Sequence, residues 1–170
     1  HIFTSPGHPM IRNSSQGVEM FWDLARSPEE ETGGVFAYRA GDPQAFQLTD
    51  REDSFLGALA DPAPGIEMLV GRVDPGFQTD RTPGLSQQDR LMRTLDANRA
   101  ARESNESTVE WYVKRDGEWT TAGTTVVPER LYDTDFCNTG FWFWPGADGK
   151  IMAGFRGRSS MIVQELAIGE

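Results

Sequence analysis

Apolar residues recur at every second position through most of this chain, and at helical spacing in one place. Val18, Met20, Trp22 and Leu24 alternate, as do Ile66, Met68 and Val70, and Val109, Trp111 and Val113 against Glu110, Tyr112 and Lys114. A period of two puts successive side chains on opposite faces of a strand. Residues 17–25 also fit a helical stripe through Val18, Phe21, Trp22 and Ala25, but their shortness and aromatic content favour a strand. Turn chemistry separates these runs. Ala40-Gly41-Asp42-Pro43 divides 35–39 from 45–48, Asp116-Gly117 divides 108–115 from 118–127, and Gly146-Ala147-Asp148-Gly149 divides 141–144 from 150–155. Asp-Gly suits tight hairpins because glycine takes positive φ without a Cβ clash. Residues 160–168 read as a last strand, with Ile162, Gln164, Leu166 and Ile168 on one face.

The helical period occurs after Ser86-Gln87-Gln88-Asp89, a capping pattern in which the serine accepts from an early backbone N–H. Leu91, Met92 and Leu95 then form a narrow apolar stripe, so a helix over about 86–104 is expected on the surface with that edge buried. Residues 54–60 suggest a short helical turn before the breaker Asp61-Pro62-Ala63-Pro64-Gly65, and Ser27-Pro28 a helix start stopped by Gly33-Gly34. Residues 1–16 read as an extended arm, with an edge strand around Ile2 to Thr4, and 17–170 as one β-rich domain. The Asp-Gly and Gly-Asp turns are unevenly spaced, which excludes a regular repeat. The expected fold is mainly β: a single antiparallel sandwich or barrel-like domain with one inserted surface helix.

Composition narrows the function classes. The formal net charge of −10 over 170 residues opposes binding to phosphate backbones. No apolar run is long enough for a transmembrane helix, so membrane insertion is not expected. The lone Cys137 permits no internal disulfide. Two sequons, at Asn13 and Asn105, lie in polar stretches where a glycan is tolerated, and the chain starts at His1 rather than Met. Together they suggest a secreted or extracellular protein; a virion or cytoplasmic protein is the alternative.

Catalytic chemistry is thinly supplied. Both histidines, His1 and His8, fall in the arm, and Cys137 sits beside acids that disfavour a thiolate. No nucleophile elbow, phosphate loop or His-Glu-x-x-His is present. Asp133, Asp135 and Asn138 gather oxygen ligands suited to calcium, although Asn138 stands where an EF-hand needs glycine. A free His1 can chelate copper through its amine and ring, in the manner of copper oxygenases that cleave polysaccharides; the second histidine such a site needs has only His8 as candidate. Glu110 and Glu118, on the two arms of one hairpin, are the carboxylate pair to consider for glycoside hydrolysis. Arg156 and Arg158 are candidates for holding a carboxylate or sulfate.

The aromatic run Phe141-Trp142-Phe143-Trp144 carries the most information. As a strand it is either covered on both faces or exposes one aromatic pair, and an exposed indole pair suits stacking on sugar rings or packing on another chain. The leading expectation is a non-enzymatic recognition domain that binds a glycan or similar ligand through Trp111, Trp119, Trp142 and Trp144, with no cofactor. A structural subunit of a filament, capsid or other self-associating assembly is the alternative. A secreted carbohydrate-active enzyme, including one with copper at His1, is the third.

Overall fold

The computed structural model describes residues 9–24, 33–51, 55–74, 82–97, 99, 106–127, 141–156, 161–166 and 168. Among them the fold is mainly β, with three antiparallel sheets and one α-helix, as the alternation leads one to expect. Sheet I orders β1 (Met10–Ser14), β2 (Gly17–Leu24), β3 (Gly34–Arg39) and β4 (Phe46–Thr49). Sheet II orders β5 (Phe55–Ala63), β6 (Ile66–Asp74), β7 (Ser107–Arg115) and β8 (Glu118–Val127). Sheet III places β10 (Ile151–Arg156) between β9 (Phe141–Pro145) and β11 (Met161–Leu166). The helix, α1, runs over Gln87–Ala97 between β6 and β7.

Sheet II is the middle layer. Leu69, Val73, Val109, Trp111 and Val113 pack on Ile151, Ala153, Phe155 and Leu166 of sheet III. The opposite face brings Ala58, Met68, Val70 and Tyr112 against Phe21 and Ala37 of sheet I. Burial on both faces explains why Met68, Leu69 and Val70 are all completely covered, each side chain contributing about 1.5–3 kcal/mol.

The two interlayers differ in chemistry. The one toward sheet III holds no buried charge among the described residues. The one toward sheet I holds Glu19, Asp23, Arg72 and Lys114, all buried. Buried charges persist only when paired. Arg72 Nη1 donates to Glu110 Oε2 at 2.9 Å, and Tyr112 Oη donates to the same oxygen at 2.9 Å. Burial first, and then this bond to a negative partner, push the Tyr112 phenol from 10.0 up to about 12. Its stabilising contribution is therefore intact below the unfolded value and lost as pH rises from 10 toward 12. Tyrosinate absorbance is expected to show one residue titrating near pH 12, coincident with loss of stability. Tyr112→Phe should remove both, and a high titration that survives the substitution refutes the assignment.

Two segments differ from the sequence expectation, and two others take a placement that the sequence left open. Met10–Ser14, read as part of an extended arm, forms β1, joined to β2 through a Ser15-Gln16 turn. Residues 55–63 are the strand β5 rather than a helical turn, because β6 offers them a ladder from Phe55↔Val73 to Ala63↔Ile66, broken only by a bulge between Ala60 and Ala63, which outweighs the helix preference of Leu and Ala. In β2 the apolar set Val18, Met20, Trp22 and Leu24 faces outward, with Trp22 stacked on Phe36 at 5.7 Å, while Glu19, Phe21 and Asp23 are buried. The helix begins as expected, with Ser86 Oγ accepting from Asp89 N at 3.1 Å and donating to Asp89 Oδ2 at 2.6 Å. Its buried position is however Thr94, and Leu91 and Met92 are exposed. Three apolar side chains carry too little burial energy to dictate the orientation of a surface helix.

Candidate functional site

Strand parity divides the aromatic run of β9. Phe143 turns inward and meets Trp111 edge to face at 5.3 Å. Trp142 and Trp144 turn outward, 48% and 38% exposed. Of the two alternatives left by the sequence, the structure has the exposed pair. Register extends it into two rows across sheet III, Trp144–Met152–Glu165 and Trp142–Gly154–Val163. Gly154 lets the indoles lie low on the sheet: a Cβ there would stand 3.0 Å from Trp144 Cζ3 and 3.8 Å from Trp142 Cε3. At the rim, Lys150 Nζ donates to Glu165 Oε2 at 2.8 Å, and both side chains are about half exposed. The result is an apolar, aromatic platform with a polar edge.

A second feature opens between sheets I and II, near the β3–β4 turn and the β7–β8 hairpin. It is a cleft of about 180 Å³. Trp119 stands in its lining, half-buried, in edge-to-face contact with Phe21 at 5.8 Å. Lys114 Nζ lies 5.5 Å from the Trp119 ring centroid and donates to Glu19 Oε1 at 2.6 Å. Arg39 Nε donates to the same oxygen at 2.9 Å, and Arg39 also pairs with Glu67 Oε2 at 2.6 Å. Gly117 N donates to Glu67 Oε1 at 2.7 Å. Burial opposes the charges of Arg39 and Glu67, but their mutual hydrogen bond and the other bonds outweigh it. The net effect raises the Arg39 guanidinium further and holds the Glu67 carboxyl below its usual range.

Trp111 stands apart from both surfaces. It is 3% exposed, and its Nε1 donates to Thr125 Oγ1 at 2.9 Å. The alternation of β7 places it on the sheet III side of the middle layer, so it is a core residue and presents no face to a ligand. The four tryptophans expected to bind a ligand therefore do not form one site: two make the platform, one lines the cleft and one is core.

No known protein family, curated protein or solved structure matches this chain.

The remaining candidates separate by position. Glu110 and Glu118 are not opposed across their hairpin, since Glu110 pairs with Thr124 and Glu118 with Arg115. Five residues of strand put them about 16 Å apart along β7, beyond the spacing of a glycosidase pair. Glu110 is moreover held by Arg72 and Tyr112. Asn13 is exposed on β1. His1, His8, Asn105, Asp133, Asp135, Cys137, Asn138 and Arg158 lie outside the described residues. Among the described residues no His, Cys, Asp and Glu group of metal-binding size occurs, and no helix is long and apolar enough to cross a membrane. An open depression of about 690 Å³ at the β1–β2, β5–β6 and β7–β8 turns is lined partly by acids, of which Asp61 accepts from Ser15 N at 2.7 Å and Glu67 is engaged as above.

The sequence reading missed Glu19, Arg39 and Lys114. The available signal was a single Lys or Glu in strands otherwise rich in apolar residues, as in Trp111-Tyr112-Val113-Lys114. Such a residue is expensive to bury alone, so its presence implies a partner on the facing layer.

Proposed function

We propose that this is a recognition domain that binds glycans on the outer face of sheet III. The observation that supports this reading is the Trp142–Trp144 pair, low on the sheet and solvent-exposed above Gly154. The faces of sugar rings are apolar C–H surfaces that stack on indoles, and their hydroxyls need donors and acceptors at the edge. Lys150 and Glu165 supply both. Screening on a glycan array followed by calorimetric titration of the best ligand tests the proposal. Trp142→Ala/Trp144→Ala is expected to weaken binding at least about thirtyfold, the loss typical of aromatic hot spots, with little change in stability. Absence of any glycan ligand, or affinity unchanged in the double variant, overturns it.

A self-associating subunit is the second reading, favoured by the outer face of sheet I. Ile11 and Val18 are 62% and 44% exposed there, beside the stacked Trp22 and Phe36. A monomeric mass by light scattering at high concentration removes it.

A further inference from the structure

The cleft between sheets I and II carries chemistry that the platform does not use. Glu19 forms part of its lining, and its side chain is 1% exposed. Among the described residues only one of its oxygens is engaged: Oε1 accepts from both Lys114 and Arg39. Oε2 is buried with no hydrogen-bond partner among the described residues. A buried acceptor left without a donor is costly, and native proteins seldom leave one so. Glu19 itself borders the cleft, so a small movement of its carboxylate would bring Oε2 to a donor delivered from outside the chain.

The geometry points to a second, separate ligand site in this cleft, for one neutral polyhydroxylated ring such as a monosaccharide unit. Size supports a single ring. A volume of about 180 Å³ falls below the roughly 300–1,000 Å³ of pockets that take drug-sized molecules. Charge supports a neutral one. Glu19 and Asp42 match Arg39 and Lys114 around the lining and Glu67 also draws on Arg39, so an anion finds no spare cation, and any ion must still lose its hydration. Hydrogen bonding supports hydroxyls, each able to donate to Glu19 Oε2 and to accept from a neighbouring cation. Phe46 and Trp119 supply apolar walls, and Phe46 is 51% exposed on the edge strand β4.

This site does not rest on the platform, and the two are distinguishable in one experiment. The indole N–H signals of the protein are followed by two-dimensional NMR during titration with methyl glycosides of common hexoses. The Trp119 signal is expected to move in a saturable way, whether or not those of Trp142 and Trp144 respond. The same titration of Trp142→Ala/Trp144→Ala should leave the Trp119 shift unchanged. Phe46→Ala, on an exposed edge, should weaken the interaction by about three- to tenfold. Glu19→Gln replaces the orphan acceptor with an amide and should weaken it by about tenfold. Because Glu19 also holds Lys114 and Arg39, that variant is read only alongside its own folded spectrum, and Phe46→Ala carries the test if it fails to fold. A Trp119 signal that stays still at millimolar sugar overturns the proposal. So does a shift that both variants leave intact, or one produced equally by hexuronates and amino sugars.

Discussion

Lys114→Met is expected to destabilise the protein by about 3 kcal/mol. Removing one partner of a buried ion pair typically costs about 3–5 kcal/mol, because the other charge remains without compensation. Lys114 and Glu19 have side chains only 6% and 1% exposed, and Nζ stands 2.6 Å from Oε1. The low end of the range applies because Arg39 still reaches Glu19 Oε1 at 2.8 Å. Methionine preserves most of the stem volume, so the loss reports the charge rather than a cavity. Denaturant titration measures it. The double variant Lys114→Met/Glu19→Gln should recover part of the loss, giving a coupling that a double-mutant cycle isolates. A single-variant cost below about 1 kcal/mol, the range of exposed ion pairs, would show that water reaches this pair.

Gly34→Ala should cost on the order of 3 kcal/mol, from two sources. Gly34 has φ of +120°, which side-chain-bearing residues rarely adopt. An added Cβ would also collide with the carbonyl oxygen of Thr49 and stand 2.8 Å from Asp50 Cα, both backbone atoms that cannot swing aside. Gly17 provides the internal control. Its φ is +123°, but a Cβ there meets nothing within 4 Å. Gly17→Ala should therefore cost only the backbone strain, about 1–2 kcal/mol. The difference between the two variants measures the collision at the end of the β3–β4 pairing. Equal costs would mean that the close approach of strand β4 to Gly34 does not exist in solution.

The hairpins were legible because their signals are local. Asp116-Gly117 sits in the turn with φ of +50° and +81°, and Asp148-Gly149 with +59° and +74°. Each glycine relieves a clash that is decided within four residues. That Ile162, Gln164 and Leu166 of β11 share a face was readable for the same reason, since alternation puts every second side chain on one side. Strand β2 was legible as a strand but not in its facing. Periodicity fixes which residues share a side and is silent on which side meets the neighbouring layer. The apolar set of β2 faces outward because the inward set, Glu19, Phe21 and Asp23, belongs to an interlayer that also brings in Arg72 and Lys114.

The candidate site divides the same way. That Trp142 and Trp144 share a face follows from strand parity; that the face is open follows from sheet III being an outer layer. Trp111 has the same alternating context but lies in the middle layer, and there its indole is core. The cleft at Glu19 could not be read at all, because Glu19 and Lys114 are 95 residues apart and meet only where two sheets stack.

The order of residues along the chain alone determined the β character, the hairpin turns, the start of the helix and the pairing of aromatic faces, since each depends on sterics and hydrogen bonds between near neighbours. Tertiary structure decided the stacking of three layers, which indoles meet solvent, and which acids and cations lie inside. Those outcomes depend on what covers a face, and a face is covered by residues that the sequence does not place beside it.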